Sequence, residues 1–202
     1  MHLKGDILAR PKDDKKREKI INAAFEVFGK NGFDSSTIQS IAELSGVASG
    51  SIYNYFLNKE DLFTATVDEG WKNFLSQIRL INSSKERITV KFENFLNLAF
   101  EILQKSLPLL RGMLFKANQH KLLNKNFNTL FSLIEELLTE GKSNGLLDIS
   151  NDKEHVSNLI KITVLGILFS AALSPPEKLN EEIESLKNSV KKMFLEKLKI
   201  GY

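Results

Sequence analysis

The sequence predicts an all-α protein in which a small N-terminal unit of short helices precedes a larger C-terminal helical bundle. Apolar residues recur at helical spacing along most of the 202 residues. No stretch shows the sustained alternation of apolar and polar residues that a half-buried strand requires. Hydrophobic residues make up 42% and charged residues 26% of the chain, so there is enough apolar surface to form a core.

Composition narrows the kinds of site that the chain can carry. With no cysteine there is no disulfide, thiol nucleophile or thiolate metal site, and this fits a cytoplasmic protein. The longest apolar stretch, residues 159–173, is interrupted by Lys161 and is too short for a bilayer, so no membrane span is expected. The N-terminus has no apolar signal segment.

The three histidines of the chain, His2, His120 and His155, lack metal-ligand spacing. We therefore expect no metal, no cofactor and no enzyme activity.

Capping signals divide the N-terminal unit into helices. The first helix is predicted from an apolar stripe of Ile21, Ala24, Phe25 and Phe28. It ends at Gly32. Thr37 is expected to cap a short second helix that Gly46 ends, and Ser49 to cap a third helix of about seven residues. Asn58 opens a longer helix over roughly residues 59–80.

Longer helices are predicted for the rest of the chain. One covers about 85–105, a shorter one restarts at Pro108 and runs to about 119, and a third covers about 124–142. Two more helices follow. They are separated by residues 174–177, Ser-Pro-Pro-Glu, which have capping-box spacing with proline at the first helical position.

Two short helices joined by about four residues around Gly46 are typical of a helix-turn-helix motif. Ile52 and Phe56 give the third helix an inner face. Its other faces carry serine, asparagine and tyrosine in place of the Lys and Glu of a solvated face, and such groups donate hydrogen bonds to phosphates or base edges. One of Tyr53 and Tyr55 is expected to pack partly against the core.

Residues 16–63 resemble the DNA-binding region of the tetracycline-repressor-like (TetR) family of bacterial and archaeal transcription regulators. The resemblance rests on three patterns in order: A-x-x-x-F-x-x-x-G-F, T-x-x-x-I-A and G-V-x-x-G-x-I-Y-x-Y-F-x-N-K-E-x-L. It implies a regulator whose C-terminal helices bind an inducer and form a dimer, with repression as the expected mode. The C-terminal part agrees only in length and helical pattern.

The resemblance also implies DNA contacts for individual residues. Thr37 matches a position that caps the first motif helix and contacts phosphate. Gln39 matches a position from which that helix reaches a base, and Lys59 matches a phosphate-binding lysine. The positions implied to enter or follow the major groove are Ser49, Gly50, Ser51, Tyr53, Asn54 and Tyr55.

Positive charge is concentrated at the N-terminus. Residues 1–20 contain seven basic and four acidic residues, and this excess of three equals the net charge of +3 for the whole chain. Residues 35–58 contain no Lys or Arg, so the third helix cannot read guanine through arginine. We therefore expect the basic arm to supply much of the attraction to double-stranded DNA. Its residues are Lys12, Lys15, Lys16 and Arg17.

Two apolar stripes near the C-terminus fit a four-helix interface between two subunits, the family's usual homodimer. The predicted interface residues are Val156, Leu159, Ile160, Thr163, Ile167, Ile183, Leu186, Val190 and Met193. The third helix is the recognition helix of the motif. Two copies of it related by a two-fold axis predict a palindromic operator. The alternative is that both stripes face the protein's own core.

The middle helices are rich in aromatic residues, which alone form a core more often than a pocket. The resemblance implies an inducer site among them for a small hydrophobic effector, flat or acyl-bearing, whose binding releases the operator. The predicted lining consists of Trp71, Phe74, Phe92, Phe95, Phe100, Met113, Phe115, Asn118, Gln119, Phe127 and Phe131.

The sequence therefore predicts two domains in a ligand-responsive, DNA-binding transcription regulator. Residues 1–58 form the arm and the DNA-binding domain, residues 59–202 form the effector-binding and dimerisation domain, and the helix over residues 59–80 links them. A helical protein-interaction module without specific DNA binding remains the alternative. It accounts for the C-terminal stripes but not for the polar surface of residues 49–59.

Overall fold

The structure, a computed structural model, describes residues 14–114, 120–149 and 152–196, with backbone only for residues 110–114 and 120–123. Eight α-helices and one 3-10 turn make up the regular structure of these residues. The helices are α1 Asp14–Asn31, α2 Ile38–Ser45, α3 Ser49–Ile52, α4 Lys59–Ser83, α5 Ile88–Leu114, α6 His120–Ser143, α7 Lys153–Leu173 and α8 Leu179–Leu195, and the 3-10 turn is Pro176–Lys178.

The first of two apolar cores joins α1, α2, α3 and the start of α4. Phe63 lies edge-on to Phe28 and Phe33, with ring centroids 5.1 and 4.9 Å apart. Ile52 and Phe56 are buried, as predicted for the inner face of the third helix. Because a helix as short as α3 is not stable alone, these buried side chains hold it in place.

Helix α4 connects this unit to the second core, which it forms with α5, α6, α7 and α8. Phe63 and Val67 lie in the first core, whereas Phe74 and Ile78 lie in the second. Trp71 packs against both cores. The helix continues beyond its predicted end at residue 80 and contributes side chains to both cores.

The predicted caps of α2 are confirmed. The Thr37 hydroxyl accepts a hydrogen bond from the Ser40 N–H at 3.0 Å, and the Ser40 hydroxyl accepts one from the Thr37 N–H at 3.2 Å. This reciprocal pair closes a capping box. Gly46 ends the helix at φ 66°, a left-handed conformation that favours glycine. At the start of α4, the Asn58 side chain accepts from the Asp61 N–H at 2.8 Å.

The predicted cap and length of the third helix are wrong. Ala48 occupies the cap position of α3 without a side-chain hydrogen bond, and Ser49 is the first helical residue. The helix ends at Ile52, because Asn54 and Tyr55 donate their N–H groups to carbonyls only three residues back. These shorter steps turn the chain toward α4.

The break predicted at Pro108 is also wrong. Helix α5 is continuous from Ile88 to Leu114 with Pro108 inside it. Proline removes one backbone donor and crowds the preceding turn. Leu107 and Leu109 on either side are 1% and 3% exposed. Burial on both sides of the proline therefore holds the helix across it.

The predicted capping box before the last helix does not form. Pro175 is extended at φ −60° and ψ 145°, and the 3-10 turn that follows it has no side-chain cap hydrogen bond. Proline does stand in the first turn, as predicted. Two consecutive prolines fix the backbone here, so the turn needs no side-chain cap.

A buried ion pair fixes the C-terminal end of α4. The ammonium of Lys91, whose side chain is 4% exposed, donates to the Glu140 carboxylate oxygens at 2.8 and 2.9 Å and to the Asn82 carbonyl at 2.8 Å. Asn82 in turn donates its side-chain amide to the Leu133 carbonyl at 2.9 Å. A buried charge is tolerated where its donors are satisfied, and here they join α4, α5 and α6.

Helix α7 is the one helix, within the residues described, that is long and apolar enough to cross a membrane by length and composition alone. An 18-residue segment of this helix has a mean hydropathy of 1.9, and 11% of that segment is buried. Core helices of soluble proteins pass the same test, so a single such helix is weak evidence for a membrane span.

Candidate nucleic-acid interface and ligand cavity

The surface of α2, α3 and the following turn carries the side chains that the sequence assigned to DNA contact. Tyr53 is 55% exposed, and Asn54 and Gly50 are exposed as well. Tyr55 is half-buried and packs against the first core, with its ring centroid 6.4 Å from that of Phe56. As expected for one tyrosine of the pair, Tyr55 packs and Tyr53 is left available.

A hydrogen-bond network orients Gln39 on this surface. The Ser49 hydroxyl donates to the Gln39 side-chain oxygen at 2.7 Å, and the Gln39 amide donates to the Glu43 carboxylate at 3.0 Å. The network ties α3 to α2. It also leaves one amide hydrogen of Gln39 to donate outward, which suits an acceptor on a base edge.

Lys59 has partners inside the protein. Its ammonium donates to the carbonyls of Phe33 and Ser36, both at 3.0 Å, and lies 4.3 Å from the centroid of the Phe33 ring. Sequence reasoning assigned this lysine to a phosphate and gave no sign of these contacts. Two of its three N–H donors hold the loop after α1 against the start of α4.

The basic residues at the start of α1 lie near the same unit. Lys15 is exposed, Lys16 and Arg17 are half-buried, and Lys12 lies outside the described residues. The Arg17 guanidinium carbon is 5.6 Å from the centroid of the Phe56 ring. A guanidinium stacked on a ring is held in place while it keeps its charge.

A cavity of about 910 Å³ runs between α1, α4, α5, α6, α7 and α8. Six of the predicted ligand residues line it: Trp71, Phe74, Phe92, Phe95, Phe100 and Phe127. Phe131 is buried in the second core and is not part of the wall. The side chain of Met113 and all of Phe115, Asn118 and Gln119 lie outside the described residues.

The wall also includes residues that sequence reasoning missed. Asn22, Phe25 and Glu26 of α1 line the cavity, although α1 belongs to the helix-turn-helix unit. A Cβ built at Gly70 of α4 would lie 3.4 Å from the Phe25 ring, so the two helices approach closely here. No local pattern in α1 signals this role, because it depends on how α1 packs on α4.

The rings near α1 form an aromatic group. The Trp71 centroid lies 5.1 Å from that of Phe127 in an edge-on contact and 5.9 Å from that of Phe74.

Two hydroxyls of the cavity wall donate hydrogen bonds within their own helices. Thr66 donates to the Leu62 carbonyl at 2.7 Å, and Ser106 donates to the Ile102 carbonyl at 2.6 Å.

Comparisons with known proteins agree with the helix-turn-helix geometry. The family described as bacterial regulatory proteins, tetR family, matches residues 20–66. The fatty acid metabolism regulator protein of Bacillus subtilis is 31% identical over 134 residues, which are 63% of this chain and 68% of that protein. The chain belongs to the TetR family. The HTH-type transcriptional regulator QacR of Staphylococcus aureus is 28% identical over 188 residues, 89% of this chain and 96% of its own length.

Solved structures share the fold of this TetR-family chain. The crystal structure of FadR from Bacillus subtilis in complex with stearoyl-CoA has a TM-score of 0.66 at 24% identity and covers 88% of this chain and 96% of its own. A transcriptional regulator from Cytophaga hutchinsonii has a TM-score of 0.77 at 24% identity, over 92% and 100% of the two chains. These structures share the fold, and the family match over residues 20–66 makes the protein a transcriptional regulator of the TetR type with a DNA-binding helix-turn-helix unit.

All nine residues predicted for the TetR dimer interface line the cavity or pack in the second core. The cavity wall includes Val156, Leu159, Ile160, Thr163, Ile167, Val190 and Met193. Leu186 packs on the second core. Ile160 and Ile183 are 7% and 3% exposed and belong to the second core.

A different side of α7 is exposed in this TetR chain. Ile162, Leu165, Phe169 and Leu173 are 68%, 51%, 65% and 67% exposed, and their spacing places them on one helical face. Leu159 and Met193, at 49% and 54%, are the predicted interface residues that are also exposed. Because α7 is apolar on several sides, its sequence pattern did not identify the outer one.

Proposed function

We propose that this protein is a ligand-responsive repressor that binds a palindromic operator as a homodimer and releases it when a hydrophobic effector fills the cavity. The observation that carries the proposal is the α1 wall of the cavity, formed by Asn22, Phe25 and Glu26. A ligand there touches a helix of the DNA-binding unit itself. Differential binding to two positions of α1 is sufficient to shift their equilibrium.

The outer surface of α2 and α3 supports operator binding. Gln39, Tyr53 and Asn54 are exposed there, and the Ser49 contact fixes the direction of the Gln39 amide. With no Lys or Arg in residues 35–58, base contacts come from amide and hydroxyl groups, and charge comes from the start of α1. Thr37, Gly50, Ser51, Tyr55 and Lys59 complete the proposed DNA surface, with Lys59 acting mainly by holding it in shape.

The apolar face of α7 supports the homodimer. Ile162, Leu165, Phe169 and Leu173 form a continuous exposed stripe, and monomeric soluble proteins rarely leave such a stripe in water. A second copy related by a two-fold axis covers it with the same face. Both recognition helices then face the same side of a duplex, which is the basis for a palindromic site.

The test is selection of binding sites from a random duplex pool with the full chain, followed by titration of the enriched duplex at several salt concentrations. We expect a palindrome. Tyr53→Ala should weaken its binding about tenfold, or ~1.4 kcal/mol, while Leu80→Ala, at an exposed position of α4 in the second half of the helix, should not change it. No enrichment would contradict operator binding and favour the helical interaction module.

Salt dependence tests the source of the electrostatic attraction. Replacing Lys15, Lys16 and Arg17 together with alanine removes three cations at the start of α1. The slope of log affinity against log salt should flatten by about 2–3, since each phosphate contact contributes about 0.9. An unchanged slope would place the phosphate contacts elsewhere.

A further inference from the structure

A carboxylate stands on the surface proposed to face DNA. Glu43 is the one charged residue in the sequence of residues 35–58, and it is exposed on α2. It lies four residues after Gln39, which places both side chains on the same face of the helix, while Ile41 between them is buried in the first core. A negative charge at this place repels the phosphates of a duplex. Glu43 therefore cannot serve the general attraction to DNA.

The hydrogen bond between Gln39 and Glu43 fixes the orientation of the Gln39 amide. The side-chain nitrogen of Gln39 donates to the Glu43 carboxylate at 3.0 Å. An ionised carboxylate only accepts hydrogen bonds, so the nitrogen of the amide has to face it. If the amide turned over, its oxygen would face the carboxylate, and the two acceptors would repel each other. Glu43 therefore excludes one of the two orientations of the amide.

Ser49 holds the other end of the same amide. Its hydroxyl, half-buried at the start of α3, donates to the Gln39 side-chain oxygen at 2.7 Å. The amide has two hydrogens and two oxygen lone pairs, and Glu43 and Ser49 occupy one of each. One N–H and one lone pair remain for a duplex. Their order is fixed, with the nitrogen on the Glu43 side and the oxygen on the α3 side.

The four bases differ in what they offer to such an amide. In the major groove guanine presents two acceptors, thymine one acceptor, cytosine one donor, and adenine a donor beside an acceptor. A glutamine that can turn over satisfies several of these patterns, because its nitrogen and oxygen exchange places. A glutamine held in one orientation presents donor and acceptor in one order only. It therefore tolerates fewer bases at the position that it contacts.

We propose that Glu43 is a positioning residue for base readout, which holds the Gln39 amide in one orientation and so determines which base Gln39 accepts. The proposal rests on the operator binding proposed above. Ser49 supports the same orientation from α3. The charge of Glu43 lowers the affinity for every duplex, and its hydrogen bond sharpens the choice among duplexes.

The test uses the full chain, the duplex enriched from the random pool, and duplexes that differ from it by one base pair in each half-site. Glu43→Gln keeps the size of the side chain but lets it donate as well as accept, so the Gln39 amide can turn over. Fluorescence anisotropy measures the affinity for each duplex. Discrimination at one base pair of each half-site should fall from about tenfold to about threefold or less. Binding to a duplex of unrelated sequence should rise about two- to threefold, because a negative charge is removed.

Further variants test whether Glu43 acts through Gln39. Ser49→Ala releases the amide oxygen and should relax the preference at the same base pair. Gln39→Ala should abolish discrimination there, and Glu43→Gln added to it should relax nothing further, because the two residues act as a unit. Glu60→Gln makes the same chemical change at an exposed position in the first turn of α4. It is the matched control and should leave every base preference unchanged.

The outcomes separate this inference from the proposed function. An enriched operator whose base preferences survive Glu43→Gln would overturn the positioning role and leave operator binding intact. Relaxation at another base pair that persists in the Gln39→Ala background would mean that Glu43 contacts a base itself, as a carboxylate can with cytosine. Equal relaxation at every base pair, with a lower free energy of unfolding in urea, would reduce Glu43 to a stabiliser of α2. If no duplex is enriched, operator binding and this inference are both wrong.

Discussion

At the scale of single residues, Lys59 illustrates how a residue placed by resemblance acquires a role from its surroundings. The ammonium holds the Phe33 and Ser36 carbonyls and covers the Phe33 ring. Its proposed effect on DNA binding is therefore indirect as well as electrostatic. A substitution that removes the charge also loosens the loop before α2.

Lys59→Met should lower the free energy of unfolding by about 1–3 kcal/mol, because two carbonyls lose a charged donor. Urea denaturation of the full chain measures this. Lys30→Met, at an exposed position in the last turn of α1, is the control and should stay within about 0.5 kcal/mol of the original. Unchanged stability of the Lys59 variant would mean that the lysine serves DNA contact alone.

A substitution at Gly50 can test operator binding separately from folding stability. A Cβ at this position meets nothing within 4 Å, and the residue is exposed on α3. Gly50→Ala should therefore leave stability within about 0.5 kcal/mol. Operator affinity should fall about tenfold, ~1.4 kcal/mol, where the added methyl group meets the duplex. Gel-shift titration beside urea denaturation measures both, and unchanged affinity would place Gly50 away from DNA.

At the scale of secondary structure, Pro108 interrupts the hydrogen bonding of α5 without ending the helix. Pro108→Ala restores a backbone donor and removes the crowding of the preceding turn. The free energy of unfolding should rise by about 1–3 kcal/mol. Pro176→Ala, at the start of the 3-10 turn where proline is well tolerated, should show no such gain. A loss of stability in Pro108→Ala would mean that the proline ring packs in a way alanine cannot replace.

Local signals explain what the sequence predicted well. Thr37, Gly46 and Asn58 act through their own backbone neighbours, so the ends of α2 and the start of α4 followed from the sequence. The predicted helix break at Pro108 and the predicted cap at Ser49 were wrong because tertiary contacts decide the roles of these residues. Leu107 and Leu109 are buried around the proline, and Ser49 donates to Gln39 across the turn in place of capping α3.

As with the fold, only part of the candidate site could be predicted from the sequence. The family resemblance, applied to the aromatic residues of the middle helices, implied ligand contacts for Trp71, Phe92 and Phe127, which line the cavity. It could not identify Phe25, whose place on the wall results from the packing of α1 on α4. Nor could it orient α7, because a helix that is apolar on most sides has no polar stripe to mark the solvent face. Tertiary contacts determine both.

At the scale of the whole molecule, the exposed face of α7 is the proposed homodimer interface. Leu165→Glu with Phe169→Glu places two charges on the proposed interface, where burying them is unfavourable. The protein should become monomeric in sedimentation experiments and lose tight operator binding, while it stays folded because both side chains are exposed in the protomer. Leu80→Glu, exposed on α4, should remain dimeric. A dimer that survives the double substitution would exclude this face as the interface.

The α1 wall of the cavity bears on how such regulators can be recombined. A chimera that joins residues 1–58 to the C-terminal helices of a relative would exchange Asn22, Phe25 and Glu26 together with the DNA-reading surface. Its ligand preference would then change even though every C-terminal residue came from one parent. Under the proposed function, specificity for the operator and specificity for the small molecule are therefore inherited jointly in this chain, and a graft that preserves the second must carry one face of α1 with it.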